Sequence, residues 1–195
     1  MKKFYTAGLI LFFSLNASCA KGPTEQLDEA KNLSLKVDQS NFSENDLVAQ
    51  NRKLVTSFYD AMGRRDFETM NAVYSNNATF SDPVFMGLNN GKVRSMWKML
   101  MTNAQNWSHE YEVLEVTATS ASVKWIGRYD FSKTGRPVEN HVMSYMVFEN
   151  DKVVAHVDSF DFWDWTKMAL GTSGYMLGWS SFMQNKVMEQ AISNL

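Results

Sequence analysis

The chain has 195 residues, with 19 Lys and Arg against 21 Asp and Glu, one Cys, and 45% hydrophobic side chains. That length is one domain with room for an appended segment. The near-neutral charge leaves no electrostatic footprint for nucleic-acid phosphates, and a lone cysteine excludes both an intrachain disulfide and a cysteine-based zinc site. Met 13, Phe 13, Tyr 7 and Trp 6 are unusual counts; a core absorbs many of them, and the rest are candidates to line a cavity.

Residues 1–18 read as a signal peptide. Lys2 and Lys3 form a positive start, and Ala7 to Leu15 is apolar apart from Gly8 and Ser14. Nine residues are too few to span a bilayer but fit the apolar region of a secretory signal. The following Asn16-Ala17-Ser18-Cys19 resembles a bacterial lipobox, in which the cysteine is lipidated and becomes the new N-terminus. That resemblance implies export, a lipid anchor at Cys19 as the only membrane attachment, and a place on the periplasmic side of the cell envelope at the outer membrane. Loss of residues 1–18 removes two lysines and leaves a net charge of −4. Residues 19–42 mix Pro, Gly, Ser, Gln and alternating charge and read as the lipidated cysteine with a flexible tether; a short helix across Glu25–Leu35 is the alternative.

Residues 43–195 read as one α+β domain. Ser43 to Asp46 offer helix N-cap chemistry, and Leu47, Leu54, Phe58 and Met62 recur at helical spacing. Asp66 caps a second, short helix, and Asn76-Asn77 breaks it. A strand over 78–81 stops at Asp82-Pro83. Val93, Met96, Trp97, Leu100 and Met101 mark a third helix. From Tyr111 the period becomes two, predicting strands over 111–118, 121–131, 138–149 and 152–163. In the second of these, Val123, Trp125, Gly127, Tyr129 and Phe131 share a face. A short helix over 164–170 and a long one over 175–195 close the chain. Three helices before a four-stranded meander imply helices packed on one face of a strongly bent antiparallel sheet, with a C-terminal helical extension.

The run Leu54 to Val84, with its Tyr-x-x-Asn-Ala-Thr and Asp-Pro, resembles the opening of the cone-shaped α+β barrel shared by nuclear transport factor 2, ketosteroid isomerase and the SnoaL-like polyketide cyclases. His156-Val157-Asp158-Ser159-Phe160-Asp161 resembles the final strand of SnoaL-like members. The resemblance covers roughly 47–165 and implies the cone fold; it constrains activity much less.

Asp82 resembles the general-base aspartate of the Asp-Pro-Val motif in ketosteroid isomerase. The oxyanion donors of that enzyme do not carry over: Phe58 stands at the tyrosine position with Tyr59 beside it, and Ser144 stands near that of the neutral aspartate. His156 and Asp158 alternate onto one face with Val154, Phe160 and Phe162. Imidazole and carboxylate together are the raw material of acid–base catalysis, and the SnoaL resemblance implies such a residue working without a cofactor. The equally plain structural readings are a turn carboxylate at Asp82 and a sheet-face hydrogen bond between His156 and Asp158. Tyr59, Trp97, Trp125, His141, Phe160 and Phe162 are the candidate ligand-binding residues, with His141 expected to face His156 across the hairpin. Phe160, Phe162, Trp163 and Trp165, together with Tyr175, Met176, Trp179 and Phe182, suggest a lid or cavity wall. No close-spaced His set marks a metal. The expectation is a domain binding a small apolar or amphipathic molecule, with Asp82, His156 and Asp158 as catalytic candidates and no cofactor. A homodimer through the outer sheet face is the further partner expected, and a non-catalytic envelope interaction module is the alternative.

Overall fold

The structure, a computed structural model, describes residues 22–38 and 43–195. The leader and Cys19 lie outside the described residues. Helix α1 (Pro23–Ser34) precedes α2 (Glu44–Gly63) and α3 (Phe67–Ala72). Strands β1 (Tyr74–Ser81) and β2 (Leu88–Asn89) lead to α4 (Asn90–Asn103). The meander β3 (Gln105–Val116), β4 (Ser120–Phe131), β5 (Arg136–Glu149) and β6 (Lys152–Ser159) follows, and α5 (Phe162–Leu170), α6 (Thr172–Leu177) and α7 (Ser181–Ile192) end the chain. This is the expected α+β architecture.

One sheet runs β2-β1-β6-β5-β4-β3, antiparallel throughout except where β1 lies parallel to β6. Alternation sends Val123 and Trp125 of β4 and Val142 and Ser144 of β5 inward. Helices α2, α3 and α4 supply Val55, Phe58, Met62, Met70, Met96 and Trp97 to the same core. Asn51 of α2 donates to the Thr117 and Ala118 carbonyls at 3.0 and 2.8 Å, tying the helix to the β3–β4 turn. Asp66 caps α3 by accepting from the Thr69 backbone N–H at 3.0 Å, as its position predicts. Ser43 sits at the α2 N-cap, but its hydroxyl makes no capping bond.

Several boundaries differ from the sequence reading, each for a local reason. Helix α3 ends at Ala72, ahead of the Asn76-Asn77 pair expected to break it; that pair lies within β1, where the pairing with β6 shifts between Tyr74 and Thr79. Strand β6 stops at Ser159, not 163, because the Asp161 carboxylate accepts the Asp164 N–H at 2.9 Å and starts α5. Phe162 is therefore a helical residue. A bulge leaves Val154 out of the β5–β6 pairing, which joins Val147 to Ala155 and Phe148 to Val153. Val154 thereby packs with Ala155 and Val157, not with His156. The single helix expected over 175–195 is two: α6 ends at Leu177 and Ser180 caps α7 through the Met183 N–H.

Residues read as tether include an ordered helix. Leu27 and Ala30 of α1, with Val37 beyond it, pack against Tyr145, Val147, Val154, Ala155 and Val157 on the outer face of β5 and β6. The Ser34 hydroxyl lies 3.1 Å from that of Tyr145. Strand β6 is thus buried on both faces from Val153 to Asp158. Elsewhere the outer face carries an ion-pair network, with Arg128 bonding to Glu110 and Glu139 and His141 joining Glu139 at 2.8 Å, beside the exposed Met143.

Helices α5 and α6 meet at backbone distance. A Cβ at Gly174 would stand 1.9 Å from the Thr166 carbonyl oxygen, so only glycine fits. Gly174→Ala is expected to cost about 2–3 kcal/mol as overpacking against an immovable backbone, read as a lower urea midpoint.

Candidate functional site

Two polar centres lie inside the cone, and they differ in access. The first is fully enclosed. His156 is 1% and Asp158 is 3% exposed. The Trp97 indole N–H donates to the Tyr74 hydroxyl at 3.0 Å, and Tyr74 lies 2.6 Å from His156 Nδ1. His156 Nε2 lies 2.9 Å from Asp158 Oδ1, which also accepts the Ser144 hydroxyl. Ser144 Oγ in turn accepts the Trp125 indole N–H at 2.9 Å.

An indole only donates, and that sets the direction of the whole chain. With Tyr74 giving its proton to Nδ1, the imidazole carries its own on Nε2 and gives it to Asp158. Both arms then run toward one carboxylate, and every donor on the path finds an acceptor. The Phe58, Phe80 and Trp97 rings surround the imidazole at 5.1–6.2 Å between centroids. Tyr59 is fully buried beside this centre, its hydroxyl close to Ser144 and Asp158. Burial first, and the charge of Asp158 second, push its pKa well above the usual phenol value.

The second centre opens into a cavity of about 760 Å³ at the wide end of the cone. Its walls come from the β1–β2 loop, the end of α4, the ends of β3 and β4, α5, and one face of α7. Phe85, Trp107, Phe131, Phe160, Trp165 and Val187 make most of it apolar. Asp82 stands in this wall. Its Oδ1 accepts the Val84 and Phe85 N–H groups at 2.6 and 2.5 Å. Both bonds fall on one oxygen, which leaves Oδ2 without a protein donor among the described residues.

Burial raises the Asp82 pKa from 3.8 to about 7, against the two backbone donors that pull it down, and Asp158 adds a smaller upward push. Tyr129 lines the same cavity. Its hydroxyl accepts the Trp165 indole N–H at 2.9 Å, so its own proton is free to point at a ligand. Desolvation, and in smaller part Asp82, raise the Tyr129 pKa to about 12.

The sequence candidates therefore separate. Asp82 and Phe160 line the cavity. His156, Asp158, Trp97 and Trp125 belong to the buried chain of donors, with Tyr59 against it. Phe162 stacks on Trp165 at 5.9 Å behind the cavity wall. His141 does not face His156: residue 156 pairs with Met146, and His141 lies on the outer face, its side chain 57% exposed. Tyr175, Met176, Trp179 and Phe182 are exposed and form no part of the cavity wall. Tyr129 and the α7 residues Lys186, Val187 and Gln190 were not singled out as site residues, whereas Trp165, read from the sequence as part of a cavity wall, does line the cavity. Alternation had already put Tyr129 on the inward face of β4, but its partner comes from α5, which no sequence pattern places there. Among the described residues no group of His, Cys, Asp and Glu is arranged to hold a metal.

Asp82→Asn and Asp158→Asn should part in their effect on stability. Asp82 has a folded pKa above its unfolded one, so its favourable contribution is complete below 3.8 and is lost as pH rises through about 7. Asp82→Asn should gain about 1–2 kcal/mol on wild type between pH 5 and 8, since the amide oxygen keeps both backbone bonds. Asp158→Asn should lose about 2 kcal/mol, because its amide brings an extra donor pair into a buried site. Urea unfolding at the two pH values checks both.

The SnoaL-like domain model matches residues 55–156. No curated protein matches the chain. Among solved structures, a candidate isomerase from Bacillus subtilis is similar at 14% identity and TM-score 0.54, covering 67% of this chain and 96% of its own. A candidate hydroxylase, AclR, from Streptomyces galilaeus is similar at 13% and 0.53, covering 75% and 94%. A candidate polyketide cyclase from Silicibacter sp. TM1040 is similar at 14% and 0.52, covering 60% and 93%. These likenesses establish the fold.

Proposed function

The chain belongs to the SnoaL-like domain family, and from that premise we propose that it binds a small apolar or amphipathic carbonyl compound and moves a proton within it. The observation that carries this is Asp82, a carboxyl with a pKa of about 7 and one uncommitted oxygen, in the wall of an apolar cavity that also holds the Tyr129 hydroxyl. A cavity of this size suits a molecule of a few fused or linked rings.

The chemistry follows from the two groups. Asp82 Oδ2 takes a proton from the carbon next to the carbonyl. The electron pair moves onto the carbonyl oxygen, and the Tyr129 O–H, oriented by Trp165, hydrogen-bonds the resulting enolate. Asp82 then returns the proton to another carbon, or the enolate carbon attacks a second carbonyl and Asp82 protonates the alkoxide. Tyr129 keeps its proton throughout because its pKa is about 12. Tyr129 thus supplies, from β4, the donor that the ketosteroid isomerase pattern would have put at Phe58. The candidate isomerase and cyclase among the neighbours are compatible with either outcome. His156 and Asp158, buried and outside the cavity wall, act as scaffold in this reading.

Exchange of carbon-bound hydrogen for deuterium in a panel of cyclic ketones, followed by NMR, tests the proposal. The rate should climb with pH to a plateau above about 7, where Asp82 is ionised. Asp82→Asn should abolish exchange, and Tyr129→Phe should slow it roughly 100-fold. Ketone binding with no exchange at any pH would leave a binding protein only.

Export and anchoring through Cys19 belong to the same proposal, supported by the sequence of residues 1–19. Radioactive palmitate should label the wild type in a bacterial host and leave Cys19→Ala unlabelled.

A further inference from the structure

We propose that the apex formed by α6, the Gly178–Ser180 turn and the first turn of α7 docks onto an anionic lipid surface. Tyr175, Met176, Trp179 and Phe182 are 64%, 63%, 69% and 60% exposed. Trp163 adds to the patch, its indole N–H reaching the Tyr175 carbonyl. With Leu177, also exposed, five large apolar side chains are left in water within eight residues, a contiguous patch of the kind that marks an interaction surface.

Its chemistry identifies the occupant. Trp, Tyr and Phe are the side chains that favour the lipid–water boundary. From Met168 to Asn185 the chain carries no charge, and from Trp165 to Met188 it carries no acid. The two charges inside that longer run are lysines, each lying over an exposed ring. The Lys167 ammonium is 4.6 Å from the Trp163 ring and Lys186 is 5.2 Å from Phe182. Arg136 stands beside the same surface, donating to the Met168 carbonyl at 2.8 Å. The acids at the margin are Asp164, paired with Lys167, Asp161, which caps α5, and Glu189, past Lys186 on α7. Insertable aromatics ringed by cations, in a chain of net charge −2, complement an anionic headgroup layer over an apolar interior. Among the described residues no helix is long and apolar enough to cross a membrane, so the contact is superficial. Helix α7 also walls the cavity through Lys186, Val187 and Gln190, so docking would set the cavity beside the lipid.

A site-resolved probe tests this without interference from the N-terminal segment. In the full chain carrying Cys19→Ser, Met176→Cys is labelled with an environment-sensitive fluorophore, and Glu112→Cys, on the outer face of β3, serves as the control. With vesicles of phosphatidylcholine containing about a third phosphatidylglycerol, the label at 176 should shift to the blue and the one at 112 should not. Trp179→Ala with Phe182→Ala should weaken the response at least about tenfold, and roughly 0.5 M NaCl should weaken it several-fold. Circular dichroism confirms that the variants fold. An unchanged label at 176 with vesicles present overturns the proposal, as does equal binding to pure phosphatidylcholine. A shift that follows protein concentration without vesicles also overturns it, because the occupant is then a second copy of the chain.

Discussion

Asp158 receives the His156 imidazole and the Ser144 hydroxyl at the centre of the sheet, 3% exposed, on a strand buried on both faces. A carboxylate out of water is tolerable only when donors replace its hydration. The surrounding residues are arranged to meet that demand. His156 donates because Tyr74 occupies its other nitrogen, and Tyr74 is held by Trp97 of α4; Ser144 donates because Trp125 fills its lone pair. One buried acceptor thus ties α4, β1, β4, β5 and β6 together, which fixes where the helices lie on the concave face.

The same requirement sets Asp82 apart from Asp158. The donors of Asp158 are side chains from two strands, β5 and β6, and altering either of them disturbs the core. Asp82 is served by two N–H groups of its own loop, both on one oxygen. Its remaining oxygen meets the cavity, and desolvation brings its pKa to about 7, where a carboxyl can both take and return a proton. Separating the two centres allows the inner one to be rigid while the outer one stays open to a ligand.

Segments outside the matched span of residues 55–156 reshape the cone. Helix α1 covers part of the outer face over β5 and β6, and an ion-pair network lies elsewhere on that face. Helices α5 to α7 contribute Trp165 and one face of α7 to the cavity. The close approach at Gly174 lets α6 fold back on α5 and carries the aromatic apex outward.

The sequence by itself determined the α+β class, the order of helices and meander strands, the cap at Asp66 and the inward face of β4. Period and capping chemistry are local, so they can be read without coordinates. Only the tertiary structure decided that β1 joins β6 in parallel, that α1 is a docked helix, and that His141 faces solvent while His156 and Asp158 sit beneath the core. It also decided that Tyr129, whose hydroxyl accepts the Trp165 indole N–H, lines the same cavity as Asp82. These depend on register, on one bulge at Val154, and on which distant element covers a face. A one-residue shift in pairing reverses every side chain after it, and no local pattern along the chain records that choice.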